Sequence, residues 1–271
     1  MPSGLVLGVR TILARAYPRV IGANRELSWV FFDIFLPLLA VLGLLYVYRA
    51  LGAPPRFEGY VIVGGAMTSF WFATIWMMAM QLRWEKDGGN LEFYMMAPPS
   101  LMWVLAGMAL GGSFSTTLRA LTVVALGALA FEVPFVWTNL GWALLATLAT
   151  ITALYSVGMV AASLFLRFGR GVENVLMTLQ EPVFLVTGTY FPVRALGMGL
   201  AVAGSLIPLT LGVDAQRQLL FAGEALPLLP WQAETVILAA YTALMGLGAR
   251  FALDLMERWA KRDGRLTLRW Q

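Results

Sequence analysis

The side chains able to do chemistry in this sequence are few, and their types narrow that chemistry at once. Histidine and cysteine are both absent. The first absence removes the commonest general base and metal ligand. The second removes thiolate nucleophiles and any disulfide framework. Carboxylates and guanidiniums remain, and several stand where a charge is costly. Glu181 lies mid-run in the apolar stretch around Gln180-Glu181-Pro182, Arg119 lies deep in a second stretch, and Asp33 lies one turn into a third. An ionisable group at the centre of a membrane helix costs about 2.5–3.5 kcal/mol, so each needs a partner or water. Arg250 and Asp254 stand at i, i+4 near the end of the chain, a spacing that predicts a pair. Glu181 carries two readings: a polar clasp to a neighbouring helix, or a polar point on an internal path, with Pro182 freeing a backbone carbonyl beside it. No Gly-x-Ser-x-Gly elbow is present, and no motif supports Asp33 with Glu181 as a catalytic carboxylate pair.

The elements that must position these residues are membrane helices. The chain is 59% hydrophobic and only 13% charged, against roughly 45–50% and about 25% in soluble domains. Crossing a bilayer takes about 20 mainly apolar helical residues. Such runs fall at Trp29–Tyr48, Tyr60–Met80, Leu101–Phe131, Leu140–Leu166, Val172–Tyr190 and Thr235–Leu255. The third exceeds what a crossing needs, so it is tilted or extends beyond the membrane. Residues 1–27 spread Arg10, Arg15, Arg19 and Arg25 among apolar residues at helical spacing. That pattern predicts an amphipathic helix lying in the interface rather than a secretory signal. Residues 191–230 are apolar but broken by Pro192, Pro208, Pro227 and Pro230. They predict a re-entrant pair, residues 195–207 and 208–222, because irregular backbone at membrane depth survives only inside protein or beside a cavity.

Positive charge sets the orientation. With loops assigned alternately to two sides, one side holds the N-terminal arginines, Arg83, Lys86, Arg167, Arg170 and the basic run from Arg258 onward. The other holds Arg49, Arg56, Arg194 and Arg217. The first side is expected in the cytoplasm, with both termini inside, about six spans, and the 191–230 region facing out.

One cytoplasmic stretch is unlike an ordinary loop. Residues 85–100 read EKDGGNLEFYMMAPPS. Gly88 and Gly89 give a flexible break. Asn90 is the expected N-cap of a short helix, and Glu92 suits the positive end of its dipole. Leu91, Phe93, Tyr94, Met95 and Met96 give that helix large apolar knobs, and Pro98 and Pro99 stop it.

This stretch resembles the E-x-x-G-T-L-E-x-L…P-x-S signature of ABC type-2 exporter permeases. Gly89, Leu91, Glu92, Pro98 and Ser100 match, with Asn90 where the family has threonine and Glu85 one residue further from the glycine than the motif places it. Gly188-Thr189-Tyr190-Phe191-Pro192 is similar to the family's fifth-span ending, and Ile207–Leu220 to its P-L-T-Y…D-x-x-R segment, with Leu211 in place of an aromatic. The resemblance implies a single all-α permease domain over residues 1–271: six transmembrane helices, an N-terminal interfacial helix, a cytoplasmic coupling helix and an outer re-entrant pair. It implies a homodimer or heterodimer of permeases in the cytoplasmic (inner) membrane, surrounded by lipid and driven by two copies of a separate ABC ATPase. Residues 85–100 become the coupling helix, with Phe93, Tyr94, Met95 and Met96 filling a groove on the ATPase. The family lines its path with the second and fifth spans, which singles out Thr68, Phe72 and Trp76 on one stripe and Met177, Glu181 and Phe184 on another. Ordinary helix packing is the competing reading for each of these six.

No G-x-x-x-x-G-K-[ST] phosphate loop occurs in the sequence, so ATP and its Mg are expected on the partner and no cofactor on this chain. The expectation is a transport subunit rather than an enzyme, with no nucleic-acid partner, exporting a hydrophobic drug, a lipid or a lipid-linked saccharide. The alternative is an ion-coupled secondary transporter or channel, a class that often shows inverted repeats; none is visible. The small-residue ridges Gly65-x-x-x-Ser69-x-x-x-Ala73 and Gly107-x-x-x-Gly111-x-x-x-Ser115 predict close helix contacts, within the subunit or at a dimer seam.

Overall fold

A computed structural model describes residues 4–97, 100–133, 135–168, 170–221 and 226–262. These residues form helices and connecting turns, with no strand among them. Five helical runs are long and apolar enough to cross a membrane: α2 (Leu27–Ala50), the run Arg56–Asp87, α6 (Leu101–Phe131), the run Trp137–Phe165 and α11 (Trp231–Arg262). The protein is therefore a multi-pass membrane protein. The run Arg56–Asp87 comprises α3 (Arg56–Phe72), a π-helical segment (Ala73–Ala79) and α4 (Gln81–Asp87). The Trp137–Phe165 run holds most of α7 (Leu140–Phe168).

The centre of the bundle is α3. Residues 59–68 of this helix are buried on every side, because α2, α6 and α10 (Pro208–Leu220) all pack on it. By contrast α2 and α11 leave most of their surface outward. No ion pair joins Arg250 and Asp254, although both are described. The Asp254 backbone carbonyl instead accepts Arg258 Nε at 3.1 Å.

The N-terminal segment forms the helix α1 (Gly4–Arg25). It runs in the same direction as α6, turn against turn: Gly8 meets Trp103, Ile12 and Arg15 meet Gly107, and Ala16 and Arg19 meet Gly111. Asn24 Nδ2 then donates to Ser115 Oγ at 2.9 Å. The ridge Gly107–Gly111–Ser115 is thus the seat of α1 within one subunit. Added Cβ atoms at Gly107 and Gly111 would stand 2.6 and 2.7 Å from the carbonyl oxygens of Ile12 and Ala16, so the approach needs glycine. The other ridge works similarly at its first residue, where Gly65 takes the Val41 side chain of α2.

The fifth expected span is shorter than Val172–Tyr190. Helix α8 (Arg170–Val186) has 17 residues, about 25 Å at 1.5 Å per residue, short of a core of about 30 Å. It ends because the next carbonyls are used elsewhere. Gly188 takes φ 64, and the 188–191 backbone turns its oxygens onto Arg217 of α10. Arg217 donates from Nη1 to Gly188 O (2.8 Å) and Phe191 O (2.9 Å), and from Nη2 to Thr189 O (2.7 Å) and, longer, Tyr60 O (3.4 Å). Its guanidinium also sits 5.0 Å from the Tyr60 ring centroid.

The expected pair over 195–222 is present as α9 (Met198–Gly204) and α10, bent by 109° at the break before Pro208. A broken span and a re-entrant loop both have this shape. Helix α10 is fixed to α7 by Gln216, whose Nε2 donates to Ala143 O (2.7 Å) and Thr147 Oγ1 (2.8 Å). Residues 226–231 are fixed in turn by α10. Asp214 Oδ2 accepts Leu228 N at 2.7 Å, and Gln218 bonds Leu229 O at 2.8 Å and Trp231 N at 2.9 Å.

Candidate functional site

At the end of the bundle opposite α10, the chain reverses between α4 and α5 (Leu91–Met96). The two glycines form a defined hydrogen-bonded turn. Gly89 has φ 74. Its N–H bonds Lys86 O at 3.0 Å, and Asn90 N–H reaches back to Glu85 O at 2.8 Å. These two bonds, with a left-handed glycine between them, form a Schellman cap that satisfies the last carbonyls of α4.

Behind that turn Glu85 is a four-donor hub. Its Oε1 accepts Arg15 Nη2 from α1 at 3.1 Å and Gln81 Nε2, one turn earlier on α4, at 2.9 Å. Its Oε2 accepts Asn90 Nδ2 at 3.0 Å and the Tyr94 hydroxyl at 3.2 Å. Both carboxylate oxygens are thereby close to their acceptor capacity. Arg15 also lies 4.7 Å from the Tyr94 ring centroid. Burial, and then the Glu85 carboxylate, push the Tyr94 phenol above its ordinary 10.0. It therefore stays protonated and remains a donor at physiological pH. Three segments, α1, α4 and α5, are locked together through one carboxylate.

The hub corrects one expectation. Asn90 stands at the start of α5 but makes no side-chain cap bond; its amide is drawn back to Glu85 instead. It also divides the expected knobs. Leu91 is buried beneath α5, and Tyr94 and Met95 pack against the main core. Phe93 and Met96 alone of the large apolar residues point away, 68% and 74% exposed, with Glu92 exposed beside them. What is presented outward is a narrow two-residue apolar tip with an acid at its edge. Pro98 and Pro99 lie outside the described residues. Helix α4 is tied to α8 as well, since Arg83 pairs with Glu173.

A cavity of about 400 Å³ opens among α1, α2, α3, the π segment, α6, α7 and α8. Of the residues expected to line a path, Thr68, Phe72 and Phe184 do line it. Met177 and Glu181 do not; both are exposed on the surface of α8. The Trp76 side chain lies outside the description. Ala73 and Met77 of the π segment also face the cavity, and π-helical turns inside longer helices recur at functional sites. The two deep charges predicted to need partners find each other here. Arg119 pairs with Asp33, and its Nη2 donates to Ala23 O at 2.7 Å. The sequence marked both charges as needing a partner or water but did not pair them; the pair joins the first and third expected spans. The roles of Arg15 and Gln81 at the hub left no sequence signal beyond an amphipathic pattern.

Comparison of the chain with family models and with curated proteins gives no match.

Proposed function

We propose that this chain is the transmembrane permease subunit of an ATP-driven exporter of the ABC type-2 kind, with ATP hydrolysed by a separate ATPase. The observation that carries this reading is the braced stub: a six-residue helix whose apolar tip faces outward while a buried carboxylate fixes its base to α1 and α4. A helix resting on lipid needs no such brace. A helix that must transmit a push needs stiffness at its root, and Glu85 supplies it. The exposed pair Phe93 and Met96 is of the type enriched in protein interface cores.

In this reading, closure of two ATPases presses on α5. The Schellman turn and the Glu85 hub pass the displacement to α4, to α1 and, through Arg83 and Glu173, to α8. The π segment lies between α4 and the buried part of α3, beside the cavity, so movement of α4 alters the cavity wall. The end carrying α1 and α5 is cytoplasmic, and the 109° pair with its Arg217 cage forms the outer cap. Two permeases assemble in the cytoplasmic membrane. The cargo is hydrophobic or amphiphilic, a drug, a lipid or a lipid-linked saccharide, and alternating access carries it out.

Reconstitution with the ATPase in vesicles tests this. Hydrolysis is expected to rise severalfold with at least one class among lipids, lipid-linked saccharides and hydrophobic drugs. A flat response across all of them contradicts export of such cargo.

A further inference from the structure

We infer that the cavity between α1, α2, α3, α6 and α8 binds an amphiphile by its anionic head, a phosphate or carboxylate held at Arg19, with the apolar chain lying toward α2. This names a substrate class for the proposed permease and rests on that reading for its biological role, though the binding itself does not depend on it.

Charge within the cavity is unbalanced. Three charged residues line it: Arg19, Asp33 and Arg119. Asp33 and Arg119 pair with each other. Arg19 has no ion pair among the described residues, and burial, partly offset by the nearby Tyr155, is the main influence drawing its pKa below the ordinary arginine value. Two other charges act on it from outside the lining, Glu85 and Arg15, and these are bonded to one another. One partly buried cation is therefore left over in the cavity wall. Isolated buried charge is costly, so a site of this kind favours an anion. A guanidinium presents a planar fork that matches phosphate and carboxylate oxygens.

Further hydrogen-bond donors stand nearby. Tyr155 lines the cavity; it is 4% exposed, and its hydroxyl lies near Ser113 and Thr116 without a hydrogen bond of good geometry. Arg119 Nε is also buried without one. The rest of the wall is apolar. Phe32 and Leu36 line the cavity and are also about half exposed on α2, at 50% and 57%. The cavity thus continues into an outward apolar face, which a chain can follow into the bilayer. A neutral drug would leave Arg19 unpaired, and a bare anion would leave the apolar wall unmatched. A cavity of about 400 Å³ falls within the roughly 300–1,000 Å³ typical of small-molecule sites.

The test uses the purified full chain in a non-ionic detergent, without ATPase, and radiolabelled dodecyl phosphate as the probe. Saturable binding is expected. Arg19→Gln is expected to weaken it at least tenfold, while Arg10→Gln, on the exposed face of α1, leaves it unchanged. Tyr155→Phe is expected to weaken it severalfold and serves where Arg19→Gln lowers the folded yield. Dodecanol and inorganic phosphate are expected to compete at least tenfold less well than dodecyl phosphate. Equal competition by dodecanol overturns the anionic head. Equal competition by inorganic phosphate assigns a free-anion site and overturns the amphiphile. Wild-type affinity in a folded Arg19→Gln, or in Tyr155→Phe when the first variant does not fold, overturns the location. A chain that fails to bind dodecyl phosphate yet still holds an ATPase overturns this inference and leaves the permease reading standing.

Discussion

Glu85→Ala is expected to release α5 from the bundle while the transmembrane helices stay folded. The substitution removes the one acceptor shared by Arg15, Gln81, Asn90 and Tyr94. Hydrogen bonds to a charged group contribute about 1.5–3 kcal/mol each, and a buried donor left unsatisfied costs about 1–3 kcal/mol. Not all of this is lost. Asn90 is exposed, and Arg15 keeps 29% of its side-chain surface in solvent, so both recover water. Gln81 is 5% exposed and recovers little. A net loss of about 2–3 kcal/mol follows, concentrated at the root of α5 rather than spread over the bundle. Hydrogen exchange should therefore accelerate about 30-fold or more in residues 88–97 and hardly at all in α3. Coupled ATP hydrolysis in the reconstituted complex should fall with it. Glu85→Gln keeps one acceptor oxygen but turns an amide toward the donors of Asn90 and Tyr94 or of Arg15 and Gln81, so its effect is intermediate. Unchanged exchange across 88–97 in Glu85→Ala would show that the carboxylate does not brace the stub.

Arg217→Met should be the most damaging single change at the other end. The methionine nearly fills the same space but donates nothing. The carbonyls of Gly188, Thr189 and Phe191 then lose their partner together. Arg217 itself is 2% exposed, so water does not simply replace it. A buried carbonyl left without a donor costs about 1–3 kcal/mol, so losing three together costs several kcal/mol even after the desolvation of the guanidinium is recovered. The loss falls on the joint between α8, α3 and α10, and the pair α9–α10 should loosen. Arg217→Lys keeps the charge but replaces the planar fork with one ammonium, so it should recover only part of the stability. Asp214, one turn earlier, is not a substitute anchor, since a carboxylate offers those carbonyls no donor and its Oδ2 already accepts from Leu228 N. Melting of the purified variants, followed by circular dichroism, measures both. A methionine variant that melts with the wild type would mean that the carbonyl cage forms without its cation.

Much of the architecture can be read from sequence because length and apolarity suffice for it. The long apolar runs, the short helix after Gly88-Gly89 and the break before Pro208 all follow from residue type. Lateral arrangement does not follow so easily. In a lipid-facing helix the side touching protein and the side touching acyl chains are equally apolar, so periodicity loses its meaning. That is why Met177 and Glu181 could be grouped with Phe184 on one stripe, whereas only Phe184 faces the cavity. The packing of α1 along α6 was hidden for a related reason. Arginines spaced along an apolar helix fit a flat interfacial position, and they equally fit a helix docked lengthwise, with Arg15 bonded to Glu85 and Arg19 turned into a cavity. The end of α8 was set by a residue far away in sequence, Arg217, whose demand for carbonyls no local pattern near Val186 announces. Asn90 is the smallest of these cases: a good capping residue in isolation, diverted by a carboxylate five residues earlier.

The central claim is that the tip of α5 is gripped by an ATPase, and co-purification tests it most directly. The chain is expressed with the ABC ATPase encoded nearest to it and captured by its own tag. The wild-type chain should retain the ATPase at about one copy per chain through detergent washing. Phe93→Asp with Met96→Asp places two charges on the only large apolar side chains that α5 exposes, and should remove it. Because both side chains point away from the core, the double variant should melt like the wild type. Retention of the ATPase by a folded double variant would contradict the account.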